Sequence, residues 1–539
     1  MTAFDADYII VGAGSSGCVL ANRLSADPSI RVLLIEAGGP DTSPWIRIPV
    51  GYFRTMHNPL LDWCYRTETD PGLNGRSLAW PRGKVLGGSS SINGLLYIRG
   101  QPQDYDGWRQ LGNAGWSWDD VAPLFRRGEH QERGSSVHHG VGGALTVSDP
   151  RVSRPICDAW VQAAQAAGYP FNSDFNGAAQ EGVGYYQMTA RHGLRCSAAT
   201  AFLHPIRGRP NLHVISHAHV QRLTFQGRRV TGLVWRDRAG AEHPIAAAAE
   251  VILSAGAIGS PHILMLSGVG DAAHLQEMEI PVTANVSGVG RNLQDHLQAR
   301  LVFATHGPTL NDEVRSPWRK LAVALQFATT RRGPMAMAAS LAAGFLRTAP
   351  HLETPDVQFH IQPWSADSPG EGVHPYSAFT ASVCQLRPES RGDIRLRSPQ
   401  AQDHPIIRPN YLATAGDQKT LVAGIRLARQ IAKFSPLHER IRAELRPGLE
   451  AGDDAALLEW ARQTATKIYH PAGTCKMGQD AESVVDERLK VRGVVGLRVA
   501  DCAIMPNLVS GNTNAPAMMI AEKASDLILE DRRLGNDVF

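Results

Sequence analysis

The sequence predicts an α/β fold, in which a Rossmann-like dinucleotide-binding domain built from both chain ends is joined to an α+β domain with an antiparallel sheet. Residues 8–36 have the pattern of a strand, a glycine turn, a helix and a second strand. Residues 497–506 have the apolar character of a strand, and residues 516–530 that of a closing helix. Because 539 residues exceed what one core of roughly 250–300 residues can hold, we expect about two domains.

The N-terminal unit has the spacing of a nucleotide-binding turn. Gly12 and Gly14 follow the apolar strand Tyr8–Val11, and Gly17 completes the pattern GxGxxG at the start of a helix. The first glycine permits a tight turn, the second lets the backbone approach a pyrophosphate, and the third lets helix and strand pack closely. The amino end of the helix then attracts the phosphates.

An acidic residue ends the next strand, Val32–Ile35. Glu36 follows Gly17 at the spacing typical of dinucleotide sites, and its carboxylate can accept hydrogen bonds from a ribose diol. The motif alone does not separate NAD from FAD. Its place at the start of the chain, together with a C-terminal segment that also faces the cofactor, favours FAD.

Residues 38–110 are rich in Gly, Pro and Trp and are predicted to be extended loop, which in a compact domain is usually functional. Within this segment, residues 80–100 (WPRGKVLGGSSSINGLLYIRG) form a second glycine loop. Its glycines and serines can bring backbone N–H groups close to a phosphate or a ring system. The alternative is a surface loop with ordinary turn glycines.

The middle of the chain alternates between the two predicted domains. Residues 155–168 have helical spacing and residues 211–253 have β character. Further strands are predicted at Val357–Gln362, Phe379–Leu386 and Asp393–Leu396, and further helices at Leu321–Thr329, Asp417–Lys433 and Asp453–Thr464. We assign segments 1–155, 206–300 and 466–539 to the cofactor domain, and segments 156–205 and 301–465 to the substrate domain.

The C-terminal region offers a base together with an amide. His470 lies in YHPAGT and Asn514 in GNTNAP. Removing the hydroxyl proton makes hydride loss from a carbinol easy, and an imidazole with a pKa of ~6.5 suits that step. The Asn514 amide can donate a hydrogen bond to the alcohol oxygen. Pro516 favours a helix that begins at about Ala515–Pro516.

Four ordered segments, spanning essentially the whole chain, resemble the glucose–methanol–choline (GMC) oxidoreductases, a family of FAD-dependent alcohol oxidases and dehydrogenases. Besides the N-terminal glycine turn, residues 83–106 resemble the first signature of that family and residues 256–270 the second. HPAGTCKMG around His470 and GNTNAPAMMIAEKASDLI around Asn514 resemble its C-terminal active-site region. Within the family, the chain is similar to choline-, sorbose- and polyethylene-glycol-dehydrogenase-like bacterial members.

The resemblance implies FAD as cofactor and His470 with Asn514 as the catalytic pair. Together with the glycine turn, it assigns to cofactor binding Gly12, Gly14, Ser15, Ser16, Gly17, Glu36, Ala37, Val85, Gly88, Asn93, Gly94, Leu96, Val220, Asp501, Asn512 and Thr513. Some relatives attach the flavin through a histidine just before the asparagine of the first signature. Ile92 holds that position here and cannot form the bond, so we predict non-covalent FAD. No metal site is predicted.

The predicted reaction is oxidation of a primary alcohol, or of a polyol or choline-like alcohol, to the aldehyde, with electrons passing to a quinone, a cytochrome or another acceptor. An O₂-using oxidase of aryl or furan alcohols and a non-redox hydroxynitrile lyase remain as alternatives. A quaternary amine such as choline would need aromatic or carboxylate partners that the sequence does not place. Which alcohol reacts, and the oligomeric state, stay open.

Two further features have open interpretations. His296, in NLQDH, lies in a predicted domain-linking segment, and we interpret it as structural. Residues 359–364 are aromatic and polar, which fits either the lining of a substrate pocket or a buried strand.

Composition restricts the class of protein. There are 54 basic and 51 acidic residues without long runs of either sign, which argues against a nucleic-acid partner. The seven cysteines are scattered without a CxxC pair, which disfavours a disulfide framework and favours a reducing cytoplasm. The N-terminus MTAFDADYII lacks the pattern of a secretory signal, and no apolar stretch reaches the ~18–20 residues of a membrane span.

Overall fold

The computed structural model describes residues 6–367 and 372–535. Within them, seven strands form a first sheet from three separate stretches of chain. They are Ala6–Val11, Val32–Ile35, Leu212–Ile215, His219–Gln226, Arg229–Arg236, Glu242–Leu253 and Leu497–Val499. Ala6–Val11 lies between Val32–Ile35 and the second half of Glu242–Leu253 and is parallel to both. The first half of Glu242–Leu253 instead pairs antiparallel with Arg229–Arg236.

Both chain ends meet in this first domain. The short strand Leu497–Val499 adds a parallel neighbour to Glu242–Leu253, and the closing helix Asn514–Arg533 packs against the first helix, Ser15–Leu24. Because helices cover the parallel part of the sheet, its strands are apolar on both faces. The predicted fold class, with a dinucleotide-type domain built from both ends, is confirmed.

A second sheet of seven strands, counted within the same described residues, is antiparallel throughout. Its members are Gly182–Tyr185, Leu297–Thr305, Ala342–Leu346, Val357–Gln362, Ala378–Gln385, Ile441–Arg446 and Thr466–Lys467. The helix Ala415–Ile431 packs against it through buried Leu421 and Ile425. This is the predicted α+β domain with an antiparallel sheet.

The remaining elements connect and cover the sheets. Two-stranded pairs are Tyr65–Arg66 with Ala79–Trp80, Glu129–Gln131 with Leu145–Val147, Ala190–Arg191 with Leu194–Arg195, Val269–Gly270 with Ala284–Asn285, and Asp393–Arg395 with Ile406–Arg408. The other α-helices are Pro44–Arg47, Tyr52–Thr55, Pro102–Gln110, Trp118–Gly128, Pro155–Ala166, Gly256–Leu266, Ala272–Glu277, Leu310–Arg315, Pro317–Thr330 and Asp454–Thr464.

The strands of the two large sheets lie in the segments predicted for the corresponding domains, with two exceptions. Leu297–Thr305, in the second sheet, begins before the predicted boundary at residue 300, and Thr466–Lys467 lies just beyond the one at 465. The predicted loop 38–110 also ends in a helix, Pro102–Gln110, which is polar except for the buried Tyr105 and Trp108. The division into five segments stays a prediction.

Candidate active site

A continuous cavity lies between the carboxyl ends of the parallel strands and the antiparallel sheet. Val11, Ile35 and Glu36 line one end of it, and Gln298 and His360 line the other. Open α/β sheets bind ligands in the crevice at the carboxyl ends of their strands. Every predicted site residue lines this cavity except Gly17 and Val85.

The two exceptions lie behind the cavity wall. A Cβ atom on Gly17 would stand 1.8 Å from the carbonyl oxygen of Gly12, so Gly17 serves the close packing of helix on strand. Val85 is fully buried and forms an isolated β-bridge with Gly39. Gly17 therefore has the packing role predicted for the third glycine of the turn. Val85 does not line the cavity, and its assignment to cofactor binding stays a prediction.

The two glycine loops cross at close range. Gly12 has a φ of +98°, in the region that favours glycine, and a Cβ atom on Gly88 would lie 2.6 Å from the Cα atom of Gly14. Only backbone fits at this crossing. A floor of backbone at the amino end of the helix Ser15–Leu24 suits a pyrophosphate, which helix N–H groups bind favourably.

Glu36 is fixed beside this floor. Its two carboxylate oxygens accept hydrogen bonds from the backbone nitrogens of Ala13, at 2.9 Å, and Gly38, at 2.8 Å. Burial raises the pKa of Glu36 to about 7, against the opposing effect of these two hydrogen bonds. Each carboxylate oxygen keeps a lone pair with which to accept a ribose hydroxyl.

Asp501 anchors the region rather than facing solvent. It is 3% exposed, and its carboxylate accepts from the backbone nitrogens of Gly256, at 2.8 Å, and Ala503, at 2.7 Å, and from the hydroxyl of Ser260, at 2.6 Å. It thereby ties the start of the helix Gly256–Leu266 to the C-terminal strand, while still bordering the cavity.

At the other end of the cavity, His470 is held by three neighbours. Its backbone nitrogen donates to Asp295 Oδ1 at 2.7 Å. Its Nδ1 atom lies 3.0 Å from Nδ1 of His296, and its Nε2 atom lies 3.0 Å from Nδ2 of Asn512. The imidazole is therefore fixed on both sides, with an amide at Nε2.

The hydrogen-bond partners determine the tautomers. His296 Nε2 lies 2.9 Å from the Leu386 carbonyl, which can only accept, so this nitrogen carries the hydrogen. Burial lowers the pKa of His296 to about 4, so the ring is neutral and its Nδ1 accepts. His470 Nδ1 must then donate, which leaves Nε2 of His470 unprotonated at the cavity, where its lone pair accepts from Asn512 Nδ2. Asn512 is oriented too, because its Oδ1 accepts from Gln358 at 3.1 Å.

The pKa of His470 differs from the ordinary value assumed from the sequence. Burial, followed by the charges of His296, His360 and Arg82, lowers it well below the usual range of histidine. The ring is therefore neutral over the physiological range, which is the form that can accept a proton.

In the structure, the asparagine that contacts His470 is Asn512 and not the predicted Asn514. Asn514 is the first residue of the closing helix, and its Oδ1 accepts a hydrogen bond from Ser15 Oγ at 2.7 Å. Because the helix starts there, one residue before the predicted start, the Asn514 side chain is turned toward the first helix. Asn512 lies in the segment before the helix and reaches His470. The predicted His470–Asn514 pair is a His470–Asn512 pair.

The chain matches the GMC oxidoreductase family over residues 6–298 and again over residues 388–521. It is 44% identical over 526 residues to an alcohol dehydrogenase [acceptor] of Pseudomonas putida, covering 97% of this chain and 95% of that protein. It is 42% identical to the mitochondrial choline dehydrogenase of Homo sapiens, covering 97% and 89%. A crystal structure of pyridoxine 4-oxidase from Mesorbium loti superposes with a TM-score of 0.89 at 32% identity, covering 98% and 99%.

The chain belongs to the GMC oxidoreductase family. This GMC oxidoreductase is an FAD-dependent enzyme that acts on CH–OH donors. The backbone floor at Gly14 and Gly88, the carboxylate of Glu36 and the imidazole at the far end fit the two ends of that cofactor. Among the helices of the described residues, none is long and apolar enough to cross a membrane.

Several residues at or behind the wall of the enzyme's cavity were not assigned a definite function from the sequence. His296, interpreted as structural, directly contacts His470, and its position in NLQDH was the available signal. His360, Gln362 and Trp364 line the cavity, the first two on alternate positions of the strand Val357–Gln362. Residues 359–364 thus combine both interpretations, a buried strand and a pocket wall. Gln298 and Arg300 carried no recognised signal.

Proposed function

We propose that this enzyme oxidises a primary alcohol to the aldehyde, with His470 as the base and Asn512 as the amide that holds the alcohol oxygen. The observation that supports the proposal is the unprotonated Nε2 of His470, which lies in the cavity that fits the cofactor, 3.0 Å from the Asn512 amide. FAD, when bound, accepts the hydride that the carbinol carbon releases.

The side chains supply the proton chemistry. His470 Nε2 takes the hydroxyl proton, and its Nδ1–H remains donated to His296, which supports the positive charge that develops on the ring. The hydroxyl proton replaces the Asn512 amide hydrogen on the single lone pair of His470 Nε2. The released amide can then donate to the alkoxide oxygen while the carbinol is held in line for reaction.

The non-covalent state of the cofactor and the electron acceptor belong to the same proposal. Ile92, 3% exposed, lines the cavity next to Asn93 and offers no nucleophile to the flavin. We infer that acid precipitation releases the FAD.

The Pseudomonas putida relative, named for an acceptor, supports transfer of the electrons to a quinone or a cytochrome rather than to O₂. An oxidase is the second candidate, because the similar pyridoxine 4-oxidase is named as one.

The test is anaerobic flavin reduction by a panel of primary alcohols, followed by reoxidation with O₂ or with a quinone dye. We expect bleaching by alcohol and faster reoxidation by the dye. His470→Ala should slow bleaching by roughly 10²–10⁴-fold while bound FAD is retained. Near-normal bleaching in that variant would remove His470 from the mechanism, and retention of the yellow form with every alcohol would indicate lyase chemistry.

A further inference from the structure

The wall of the cavity nearest His470 continues along one strand of the antiparallel sheet. His296 directly precedes Leu297–Thr305, and alternate residues of a strand share a face. Gln298 and Arg300 therefore follow His296 on the same face, and both line the cavity. The strand thus leads from the residue behind the base to a buried guanidinium.

Arg300 is a buried cation at the substrate end of the cavity. It is 9% exposed, it donates from Nη2 to Gln362 Oε1 at 3.3 Å, and its guanidinium lies 5.8 Å from the ring centre of Trp364. Among the described residues, no carboxylate forms an ion pair with it, and Asp367, whose charge acts on it from a greater distance, is paired with Arg446 and His374. Burial lowers the pKa of Arg300, but a guanidinium keeps its charge in a protein. A buried cation without an ion pair is costly, which favours an anion from outside the chain as its partner.

Two further donor groups border the cavity at this end. The hydroxyl of Tyr52 and Nε1 of Trp364 are buried, border the cavity and have no hydrogen-bond partner among the described residues. The carboxylates in the cavity lining are Glu36 and Asp501, and both are held by backbone N–H groups at the cofactor end. The substrate end is therefore rich in donors and offers nothing anionic to a quaternary amine.

We propose that this site takes alcohols that carry a carboxylate remote from the hydroxyl that is oxidised, with Arg300 binding the carboxylate. The inference rests on the proposed alcohol oxidation. Arg300 and Gln362 hold the anionic group, and Gln298 lies between them and the base. Choline, with a cationic head, is disfavoured by the same guanidinium, although choline dehydrogenases are among the relatives.

The test compares 6-hydroxyhexanoate with its methyl ester and with choline, using anaerobic flavin reduction of the holoenzyme. We expect the acid to exceed the ester in the ratio of reduction rate to dissociation constant by about 10–100-fold, the range of a charge-assisted hydrogen bond. Arg300→Gln should collapse that ratio toward unity, and Arg300→Lys should keep part of it. Arg426→Gln, at a surface arginine paired with Asp454, should leave the ratio unchanged.

Binding of hexanoate separates this inference from the proposed oxidation, because hexanoate has no hydroxyl to lose. We expect it to perturb the flavin spectrum of the wild type and to bind at least tenfold more weakly to Arg300→Gln. Equal binding to both proteins, or an ester that equals the acid, would overturn the carboxylate site. Hexanoate binding without any flavin reduction by alcohols would leave the site standing and overturn the oxidation.

A different observation supports a second inference, about the helix Pro317–Thr330. Trp318, Leu321 and Leu325 are 81%, 59% and 63% exposed, and their spacing puts them on one face of the helix. Phe327 is the buried residue of this helix. A contiguous exposed apolar face of this kind marks a surface that contacts something else.

The charge around this face is positive. No Asp or Glu occurs from residue 314 to residue 352. Five basic residues adjoin the exposed face: Arg315, Arg319, Lys320, Arg331 and Arg332. Among the described residues, none of the five forms an ion pair with a carboxylate. An apolar face with a tryptophan and unpaired cations is the pattern of a helix that lies in the interface of an anionic membrane.

We propose that the helix Pro317–Thr330 docks this enzyme on an anionic lipid surface. The helix packs against the turn Pro334–Ala336, which in turn contacts the turn Pro49–Gly51. The next residue, Tyr52, lines the substrate end of the cavity, and the nearby Trp45 is 41% exposed. Docking at this face would therefore bring the rim of the cavity close to the lipid.

The test is co-sedimentation of the holoenzyme with phosphatidylglycerol vesicles and with phosphatidylcholine vesicles. We expect binding to the anionic vesicles that salt weakens, and at least a tenfold loss in Trp318→Ser/Leu321→Ser/Leu325→Ser. Leu449→Ser, at a leucine that is 85% exposed elsewhere, is the matched control and should bind normally. Absence of vesicle binding, or a dimer in ultracentrifugation that the triple variant abolishes, would overturn the lipid assignment.

Discussion

The Nε2 atom of His470 and the side-chain nitrogen of Asn512 lie 3.0 Å apart. The orientation of each is fixed from behind, since His470 contacts His296 and the oxygen of Asn512 accepts from Gln358. The unprotonated nitrogen of the imidazole and the amide donor therefore face each other at one point of the cavity. That contact is the basis of the proposal that Asn512, and not Asn514, acts on the alcohol.

Substitution of the two asparagines separates their roles. Asn512→Ala should slow anaerobic flavin reduction by roughly 10²–10³-fold, because it removes the donor to the developing alkoxide. Asn514→Ala should cost about 1 kcal/mol of folding free energy through loss of the hydrogen bond from Ser15, with a much smaller effect on the rate. Stopped-flow reduction and thermal unfolding measure the two effects. A slower reaction in Asn514→Ala than in Asn512→Ala would contradict the assignment.

The sequence predicted the fold because its signals are local. The strands Val32–Ile35 and Val357–Gln362 have the predicted bounds, since each is an apolar or alternating run between clear breaks. The polar helix Pro102–Gln110 was missed because its stability comes from Tyr105 and Trp108 packing inward and from the Gln101–Asp104 capping box. Tertiary packing of this kind is not visible in the pattern.

The site was harder to predict than the fold. GNTNAP holds two asparagines two positions apart, and which one faces His470 depends on where the helix begins. His296 and Arg300 lie far from His470 in sequence. The pairing of the strand Leu297–Thr305 with its neighbours places His296 against His470 and Arg300 in the cavity wall. Strand register and helix phase are properties of the folded chain, so residue type and spacing did not reveal them.

The lowered pKa of His470 predicts the acid limb of the pH–rate profile, which is the pH range in which the rate of flavin reduction falls as the base is protonated. An unperturbed histidine would lose its base form below about pH 6.5, whereas burial and the charges of His296, His360 and Arg82 hold this ring neutral further down. The rate of flavin reduction should therefore stay constant through pH 6.5 and fall only at lower pH. His470 in the unfolded chain binds a proton more readily than in the folded chain. The free energy of unfolding should therefore also decline as pH falls below about 6.5. A half-maximal rate at pH 6.5 would contradict this prediction.

His296 is expected to act as a positioning residue. Its Nδ1 accepts the hydrogen of His470 Nδ1, and its proximity helps lower the pKa of His470. His296→Leu should slow flavin reduction by roughly 10–100-fold and move the acid limb upward toward pH 6.5. His296→Asn keeps an acceptor and should recover part of the rate. FAD content is the control, and a slow variant whose acid limb does not move would indicate a purely structural role.

Glu36 is expected to govern retention of the cofactor. Glu36→Ala removes the carboxylate proposed to accept the ribose hydroxyls and leaves the nitrogens of Ala13 and Gly38 without acceptors. FAD affinity should fall by roughly 10–100-fold, the loss expected when one or two hydrogen bonds to a carboxylate are removed. The fluorescence of released flavin measures it. Glu277→Ala, at an exposed glutamate, is the control, and equal retention in both variants would argue against the ribose assignment.

His139 should make the stability of the fold depend on pH in the opposite direction to His470, because its pKa is raised rather than lowered. Its two ring nitrogens face Glu129, at 2.7 Å, and Asp174, at 2.8 Å. Burial lowers the pKa of His139, but the hydrogen bonds to Asp174 and Glu129 outweigh it and raise the pKa to about 9. The charged ring therefore stabilises the folded state fully below the unfolded pKa of about 6.5, and this contribution is lost as pH rises through about 9. The Tm of the wild type should exceed that of His139→Gln most at pH 6, and the difference should shrink toward pH 9. A difference that stays constant over this interval would show that His139 is neutral in the folded protein, so that its two carboxylate contacts contribute packing and hydrogen bonds but no ion pair.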